Sequence, residues 1–297
     1  MKVSTYLKAN PWIRLMRLDR PIGTYLLLWP AGWAVLLATA GQPDMALVGV
    51  VAAGVLVMRA AGCVVNDFAD RHWDGEVERT ALRPLASSEI APRAALLLFF
   101  SLLFVALLLV LSAGSIETLW WAAAGAALTA LYPFCKRFTH LPQLILGLCW
   151  AWCVPIIFSL QGDMASRSLF DVVPLFVAVL LWTIAFDTFY AMVDRDDDLR
   201  VGIKSTAVWA GHRDLWLIGL CQLGALVALA AAGYHYHRGG FFALGAAVAA
   251  GLFMRQLWWA RGRDREACFK AFLNNHWVGL WLFVMLLADY RWEMVGS

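Results

Sequence analysis

MALVGVVAAGVLVMRAAGCVVNDFADRHWD (residues 45–74) begins as an almost unbroken apolar run and ends in acid. About 20 mostly apolar residues are enough to cross the hydrocarbon core of a bilayer, and residues 45–65 supply them. A run of that kind, closed by Asn66, Asp67, Asp70 and Asp74, reads as a membrane-spanning helix with chemistry at its end. Eight other segments have comparable length and apolarity: residues 22–40, 94–112, 116–134, 141–160, 172–193, 215–233, 241–259 and 274–290. The expected fold is all-α, a polytopic transmembrane bundle of about nine helices, with residues 1–297 forming one domain.

Composition agrees. The chain is 62% hydrophobic and 15% charged, whereas soluble domains run near 45–50% apolar and about 25% charged. Sixteen tryptophans fit a chain that meets the membrane–water boundary many times, where indoles concentrate. A net charge of +3 gives no reason to expect a nucleic acid, and nothing indicates an obligate protein partner. The six cysteines have no paired CxxC spacing, so neither a disulfide framework nor a zinc site is expected. Cys149 and Cys153, one turn apart in an apolar run, read as small buried residues. The first twenty residues are polar and basic and lack the short apolar core of a cleavable signal peptide.

Lysine and arginine sort to one side. The tail (Lys2, Lys8, Arg14, Arg17, Arg20), the second and eighth spans themselves (Arg59, Arg255) and the connections after the second, fourth, sixth and eighth spans carry 21 of the 24. Only Arg167, Arg238 and Arg291 fall opposite, and an even number of spans would spoil this segregation. Basic loops stay cytoplasmic. Residues 66–93, 136–140, 194–214 and 260–273 are therefore expected in the cytoplasm and Ser297 outside, in a bacterial inner membrane.

Two acidic clusters lie on that cytoplasmic side. At 100° per residue Asn66, Asp70 and Asp74 fall within about 80° of each other, with Arg59 about 20° from Asn66. An arginine at that depth is costly against lipid and should face a polar cavity. The second cluster spans residues 187–198, where Asp187, Asp194 and Asp198 lie within about 40° on one face of a continuing helix; Lys204 follows. Asp196 and Asp197 point off that stripe and read as solvated. Converging carboxylates repel one another without a cation, and hard oxygen donors suit Mg²⁺ shared with a phosphate. Metal, carboxylates and nearby basic side chains are what a diphosphate leaving group needs. His72 reads as a hydrated boundary residue. Trp150, Trp152, Trp182, Phe186 and Phe189 read as packing that could also line a prenyl groove.

At these residues the sequence resembles a known family. Residues 66–74 match the NDxxDxxxD signature of the UbiA-type intramembrane prenyltransferases, and residues 194–198 match their DxxxD motif. YAMVDRDDDLRVGIKSTA (190–207) is similar to the 4-hydroxybenzoate polyprenyltransferase branch. So are RLMRLDRPIG (14–23), LVMRAAGCVVND (56–67), YPFCKRFTHLPQ (132–143) and REACFKAFLNN (265–275). The resemblance implies a central cavity open to cytoplasm and lipid, with Asn66, Asp67, Asp70, Asp74, Asp194 and Asp198 at the Mg²⁺–diphosphate positions. It implies diphosphate contact by Lys136, substrate contact by Tyr190, and a place for the acceptor's carboxylate at Arg137. It departs from the family at Leu82-Arg83-Pro84-Leu85-Ala86, where Asn-Arg-Pro-Leu-Pro is usual.

The implied reaction is transfer of a polyprenyl group from polyprenyl diphosphate to 4-hydroxybenzoate, ortho to its hydroxyl, in ubiquinone biosynthesis. Homogentisate, a naphthoate or haem are alternative acceptors. A cation-coupled transporter is the alternative of another class, disfavoured because the carboxylates sit at span ends beside basic loops.

Overall fold

The computed structural model describes residues 10–76 and 79–296; Lys2, Lys8 and Ser297, which the charge reading assigns to sides, lie outside the described residues. Among the described residues there is no strand. The helices are α1 (Pro11–Leu15), α2 (Ile22–Ala38), α3 (Met45–Asp70), α4 (Pro92–Ala113), α5 (Ile116–Cys135), α6 (Pro142–Ala151), α7 (Cys153–Ser159), α8 (Leu169–Val201), α9 (Thr206–Ala210), α10 (Asp214–His235), α11 (Gly240–Ala260) and α12 (Arg265–Gly296). With α6 and α7 taken as one broken rod, and the short α1 and α9 set aside, nine rods remain among the described residues.

Among the described residues seven stretches are long and apolar enough to cross a membrane: Met45–Asp70, Pro92–Ala113, Pro142–Ser159, Leu169–Val201, Thr206–His235, Gly240–Ala260 and Arg265–Val295. Helix α2 is apolar but only 17 residues long. Helix α5 has the length, yet Glu117, Thr118 and its tryptophans dilute its apolarity. The chain is a multi-pass membrane protein.

Local chemistry sets the ends of these rods. The Asp44 carboxylate accepts from Ala46 N–H at 3.1 Å and opens α3. Ser168 and Asp171 form a capping box at the start of α8, and Gly202, at φ 78°, closes it in the left-handed conformation. Between them α8 runs unbroken for 33 residues, about 50 Å at 1.5 Å per residue, against a hydrocarbon core of about 30 Å. The α6–α7 rod breaks at Trp152 because Pro155 has no N–H for the Ala151 carbonyl and its ring crowds that oxygen.

Helix α8 is the axis, packed against α6, α10 and α12. Lipid offers no hydrophobic drive for helix association, so close fit and polar contacts must hold the rods together. Gly147 of α6 lies so near α8 that a methyl group on it would meet the Leu180 carbonyl oxygen at 2.9 Å. Gln222 Nε2 donates to Gln256 Oε1 at 3.0 Å, and Gln256 Nε2 to Asn274 Oδ1 at 3.2 Å, linking α10, α11 and α12. Trp182 donates from Nε1 to Asn275 Oδ1 at 2.8 Å. Helix α4, by contrast, buries only Ala95 and Phe99 and turns Leu97, Phe100 and Phe104 outward.

Candidate active site

Helices α2, α3, α5, α6 and α8 surround a cavity of about 610 Å³. Its deep part is apolar, lined by residues such as Leu26, Val51, Leu119, Ile156 and Leu160; its other end is crowded with charge. Among the described residues six carboxylates line it (Asp67, Asp70, Asp74, Asp187, Asp194, Asp198), with seven cations (Arg17, Arg20, Arg59, Arg79, Arg83, Lys136, Lys204). The lining therefore carries a small positive excess, which favours an anionic occupant over a bare cation.

The carboxylates are distributed among these cations. Asp67, fully buried, accepts from Arg17 Nη2 at 2.7 Å and lies 3.2 Å from Arg83 Nη1. Asp70 receives Lys136 Nζ at 2.7 Å. Asp74 receives Arg83 Nη1 at 2.8 and 2.9 Å. Arg79 grips Asp194 with Nε at 2.8 Å and Nη2 at 2.5 Å, while its Nη1 donates to Tyr190 Oη at 2.5 Å. Burial pushes the Asp74 carboxyl up; Arg83 opposes the rise and Asp67 and Asp70 add to it. Burial also pulls the Lys136 ammonium down, but Asp70 and Tyr132 together offset it and the group stands above its ordinary value.

Two polar atoms in this shell are buried without a hydrogen-bond partner: Asp67 Oδ2 and Arg59 Nε. Among the described residues no three Asp, Glu, His or Cys side chains gather closely enough to cage a metal by themselves. The donor set is nonetheless hard oxygen around open space, the arrangement suited to Mg²⁺ that completes its shell with phosphate and water. The residues fit such an ion in company with an anionic substrate.

The structure brings most of the expected residues together. Asn66, Asp67, Asp70, Asp74, Arg59, Lys136, Tyr190, Asp194, Asp198 and Lys204 all line this cavity. Asp187, Asp194 and Asp198 share one uninterrupted helix, as the spacing required. Three expectations need correction. Helix α3 ends at Asp70, so Asp74 sits in a separate 3₁₀ turn (Asp74–Glu76) and not on the same helix face. Arg137 does not line the cavity: it is exposed, donates to the Ala69 carbonyl at 2.8 Å and stacks over Trp73 at 4.5 Å. It is rotated away from Lys136, its neighbour past the end of α5. Asp197 is buried and paired with Arg200 and Arg265, not solvated; Asp196 is 79% exposed. Of the aromatic stripe, Trp150, Trp152 and Phe186 line the cavity, while Trp182 and Phe189 are buried in the core.

Sequence reasoning gave no role to Arg17, Arg79, Arg83 or Gln143, all of which line the site. Arg83 arrives on the 79–90 loop, whose turns close through Arg83 N–H to the Thr80 carbonyl and Ile90 N–H to that of Pro84. Gln143 Oε1 accepts from Thr206 N–H at 2.8 Å and from its hydroxyl at 2.5 Å, tying α6 to α9. Membership of the stretches 14–23 and 132–143 was the only sequence signal for Arg17 and Gln143.

A greasy cavity roofed by paired carboxylates and cations, inside a lipid-embedded bundle, defines a site for an amphiphile with an anionic head. Comparison with known proteins makes this specific. Residues 27–285 match the UbiA prenyltransferase family. The chain belongs to that family and is a prenyltransferase. It is 48% identical over 284 residues to the 4-hydroxybenzoate octaprenyltransferase of Pseudomonas syringae pv. tomato, covering 95% of this chain and 94% of that one. It is 47% identical over 285 residues to the protein of the same name from Methylococcus capsulatus, covering 96% of each. Among solved structures it resembles the apo form of a UbiA homolog from Aeropyrum pernix K1, with TM-score 0.76, 25% identity, and 91% and 98% of the two chains covered. A UbiA homolog from Archaeoglobus fulgidus bound to GPP and Mg²⁺ shares the fold, with TM-score 0.68 at 14% identity over 93% of this chain and 99% of that one.

Proposed function

We propose that the whole chain is one domain that moves a polyprenyl group from polyprenyl diphosphate to the ring of 4-hydroxybenzoate, ortho to the hydroxyl, in ubiquinone biosynthesis. The bond between the allylic carbon and the diphosphate oxygen breaks, a carbon–carbon bond to the ring forms, and diphosphate and a ring proton are released. The observation that carries this reading is one cavity joining a carboxylate-and-cation end to an apolar end. The names of the relatives from Pseudomonas syringae and Methylococcus capsulatus support the acceptor.

In this reading Asn66, Asp67, Asp70 and Asp74 on one side, and Asp194 and Asp198 on the other, hold Mg²⁺ with the diphosphate. The metal, when bound, neutralises charge that develops on the leaving group. The Mg²⁺ and GPP bound by the Archaeoglobus fulgidus homolog support that assignment. Arg17, Arg79, Arg83, Lys136 and Lys204 face the diphosphate oxygens and stabilise them as the allylic bond lengthens. Tyr190, oriented by Arg79 and packed 4.8 Å from Phe272, walls the reacting carbon off from water. Arg59 takes the place expected for Arg137: it lines the cavity with a buried, unbonded Nε and holds the acceptor's carboxylate. The charged end faces the cytoplasm of a bacterial inner membrane, supported by the segregation of Lys and Arg.

The test is to incubate purified protein with a prenyl diphosphate and a panel of aromatic acceptors, with and without Mg²⁺. Prenylated 4-hydroxybenzoate formed only with Mg²⁺ is expected. Preference for homogentisate or a naphthoate would overturn the acceptor, and turnover in chelator would overturn the metal.

A further inference from the structure

The turn between α11 and α12 lies at the same end of the bundle as the carboxylates, because Arg265 reaches Asp197 there. Its basic residues divide into two groups. Arg263 pairs with Asp214, and Arg265 with Asp196 and Asp197. Arg255, Arg261 and Lys270 form no ion pair among the described residues and instead lie over indoles. Arg255 Cζ is 4.7 Å and Lys270 Nζ 4.2 Å from the centroid of the same ring, Trp259. Arg261 Cζ is 4.6 Å from Trp258.

One indole can attract a cation through its quadrupole, but two cations on the same ring repel each other. An anion shared between them removes that repulsion. Next to them Trp258 is 58% and Met254 68% exposed, forming an apolar strip on the last turns of α11. Arg255 lies five residues before the end of α11, about 7.5 Å along the axis, a depth at which an arginine stem runs along lipid while its head reaches phosphate. An anion that carried its own apolar chains would also cover Met254 and Trp258, which a free phosphate does not. We infer that Arg255, Arg261 and Lys270, arranged around Trp258 and Trp259, bind the phosphate of an anionic glycerophospholipid.

None of the five residues lines the reaction cavity, so the inference is independent of the proposed acceptor and metal. It is tested on the purified full-length protein in detergent by native mass spectrometry, with phosphatidylglycerol and phosphatidylcholine of identical acyl chains added in equal amount. Each cation near an anionic lipid surface contributes about fivefold to binding. Wild type should retain phosphatidylglycerol in at least about fivefold excess, and Arg255→Gln combined with Lys270→Gln should bring that ratio close to one. The charge-keeping pair Arg255→Lys and Lys270→Arg should preserve it, as should Arg93→Gln, an exposed cation at the start of α4. Unchanged prenyl transfer in the double glutamine variant establishes that it is folded. Equal retention of the two lipids by wild type, or an undiminished preference in the double variant, overturns the inference. So does displacement of the lipid by millimolar inorganic phosphate, or capture of an acidic polypeptide in its place.

Discussion

Lys136 Nζ lies 2.7 Å from Asp70 Oδ2, although 66 residues of chain separate them. The pair closes the gap between the end of α3 and the end of α5 and sets both groups on the cavity wall. Removing either partner leaves a poorly compensated charge in a partly buried site, and also removes a group aimed at Mg²⁺ or diphosphate. Asp70→Asn and Lys136→Gln should each lower kcat by on the order of 10²- to 10³-fold, with elution as for wild type and a melting temperature lowered by the unpaired charge. Asp196→Asn, altering a side chain 79% exposed, should leave kcat within about twofold. Steady-state kinetics on the three purified variants decide this.

Arg59 lines the cavity, as its depth in the second span suggested, and Arg137 does not; acceptor kinetics separate the two. Arg59→Ala should raise the KM for 4-hydroxybenzoate by on the order of 10- to 150-fold, the loss of a charge-assisted bond of about 1.5–3 kcal/mol, while the KM for prenyl diphosphate changes little. Arg137→Ala should change the acceptor KM by no more than about twofold. Gly23 gives a second test, because a methyl group there would overlap the Arg59 guanidinium. Gly23→Ala should displace that flexible end and raise the same KM. An unchanged acceptor KM in both Arg59→Ala and Gly23→Ala would send the search for the carboxylate partner elsewhere in the cavity.

Chelation offers a direct check on the donor set. With all divalent metal removed, transfer should stop and return on addition of Mg²⁺. Asp194→Asn should raise the Mg²⁺ concentration needed for half-maximal binding of a non-hydrolysable prenyl diphosphate analogue, measured by calorimetry. Analogue binding of equal strength with and without Mg²⁺ would detach the carboxylates from the metal.

The bundle and half of the site were legible in the sequence because both rest on local rules. Apolar length alone located the nine rods, and seven-residue spacing with no helix breaker put Asp187 and Asp194 on one stripe of α8. Asp74 was misplaced because spacing assumes that a helix continues, and α3 stops at Asp70 with the chain turning through Arg71, His72 and Trp73. Arg17, Arg79 and Arg83 were invisible as site residues for a different reason. Their place in the site depends on the chain folding back across 50, 115 and 16 residues to Asp67 and Asp194, and no periodicity records such a contact. Arg137 shows the limit of adjacency: one residue past Lys136 it points outward.

The polar chain through α10, α11 and α12 should matter to stability and not to chemistry. Gln256 is fully buried and bonded to both Gln222 and Asn274. Gln256→Leu leaves both partners short of a bond, which costs about 1–2 kcal/mol within a membrane bundle. A lower melting temperature in detergent with unaltered KM values is the expected result; a selective change in KM would assign Gln256 to the site.

Orientation is checked by cysteine labelling in a background without the native thiols. Probes at Arg200 and Arg71 should react only from the cytoplasm, and probes at Arg291 and His237 only from the opposite side. Residues 200 and 291 reacting from the same side would refute the assigned topology.

Helix α8 is about 20 Å longer than the hydrocarbon it crosses, and Asp194 and Asp198 occupy its final turns. The reacting groups are thereby carried to the seam between oil and water, where two substrates of opposite solubility can meet. A water-soluble acid and a membrane-borne chain can then approach the same point from opposite sides of that seam. The product keeps the chain and loses the diphosphate, so its only downhill exit is sideways into the lipid. The place where the two substrates meet thus follows from the length of a single helix.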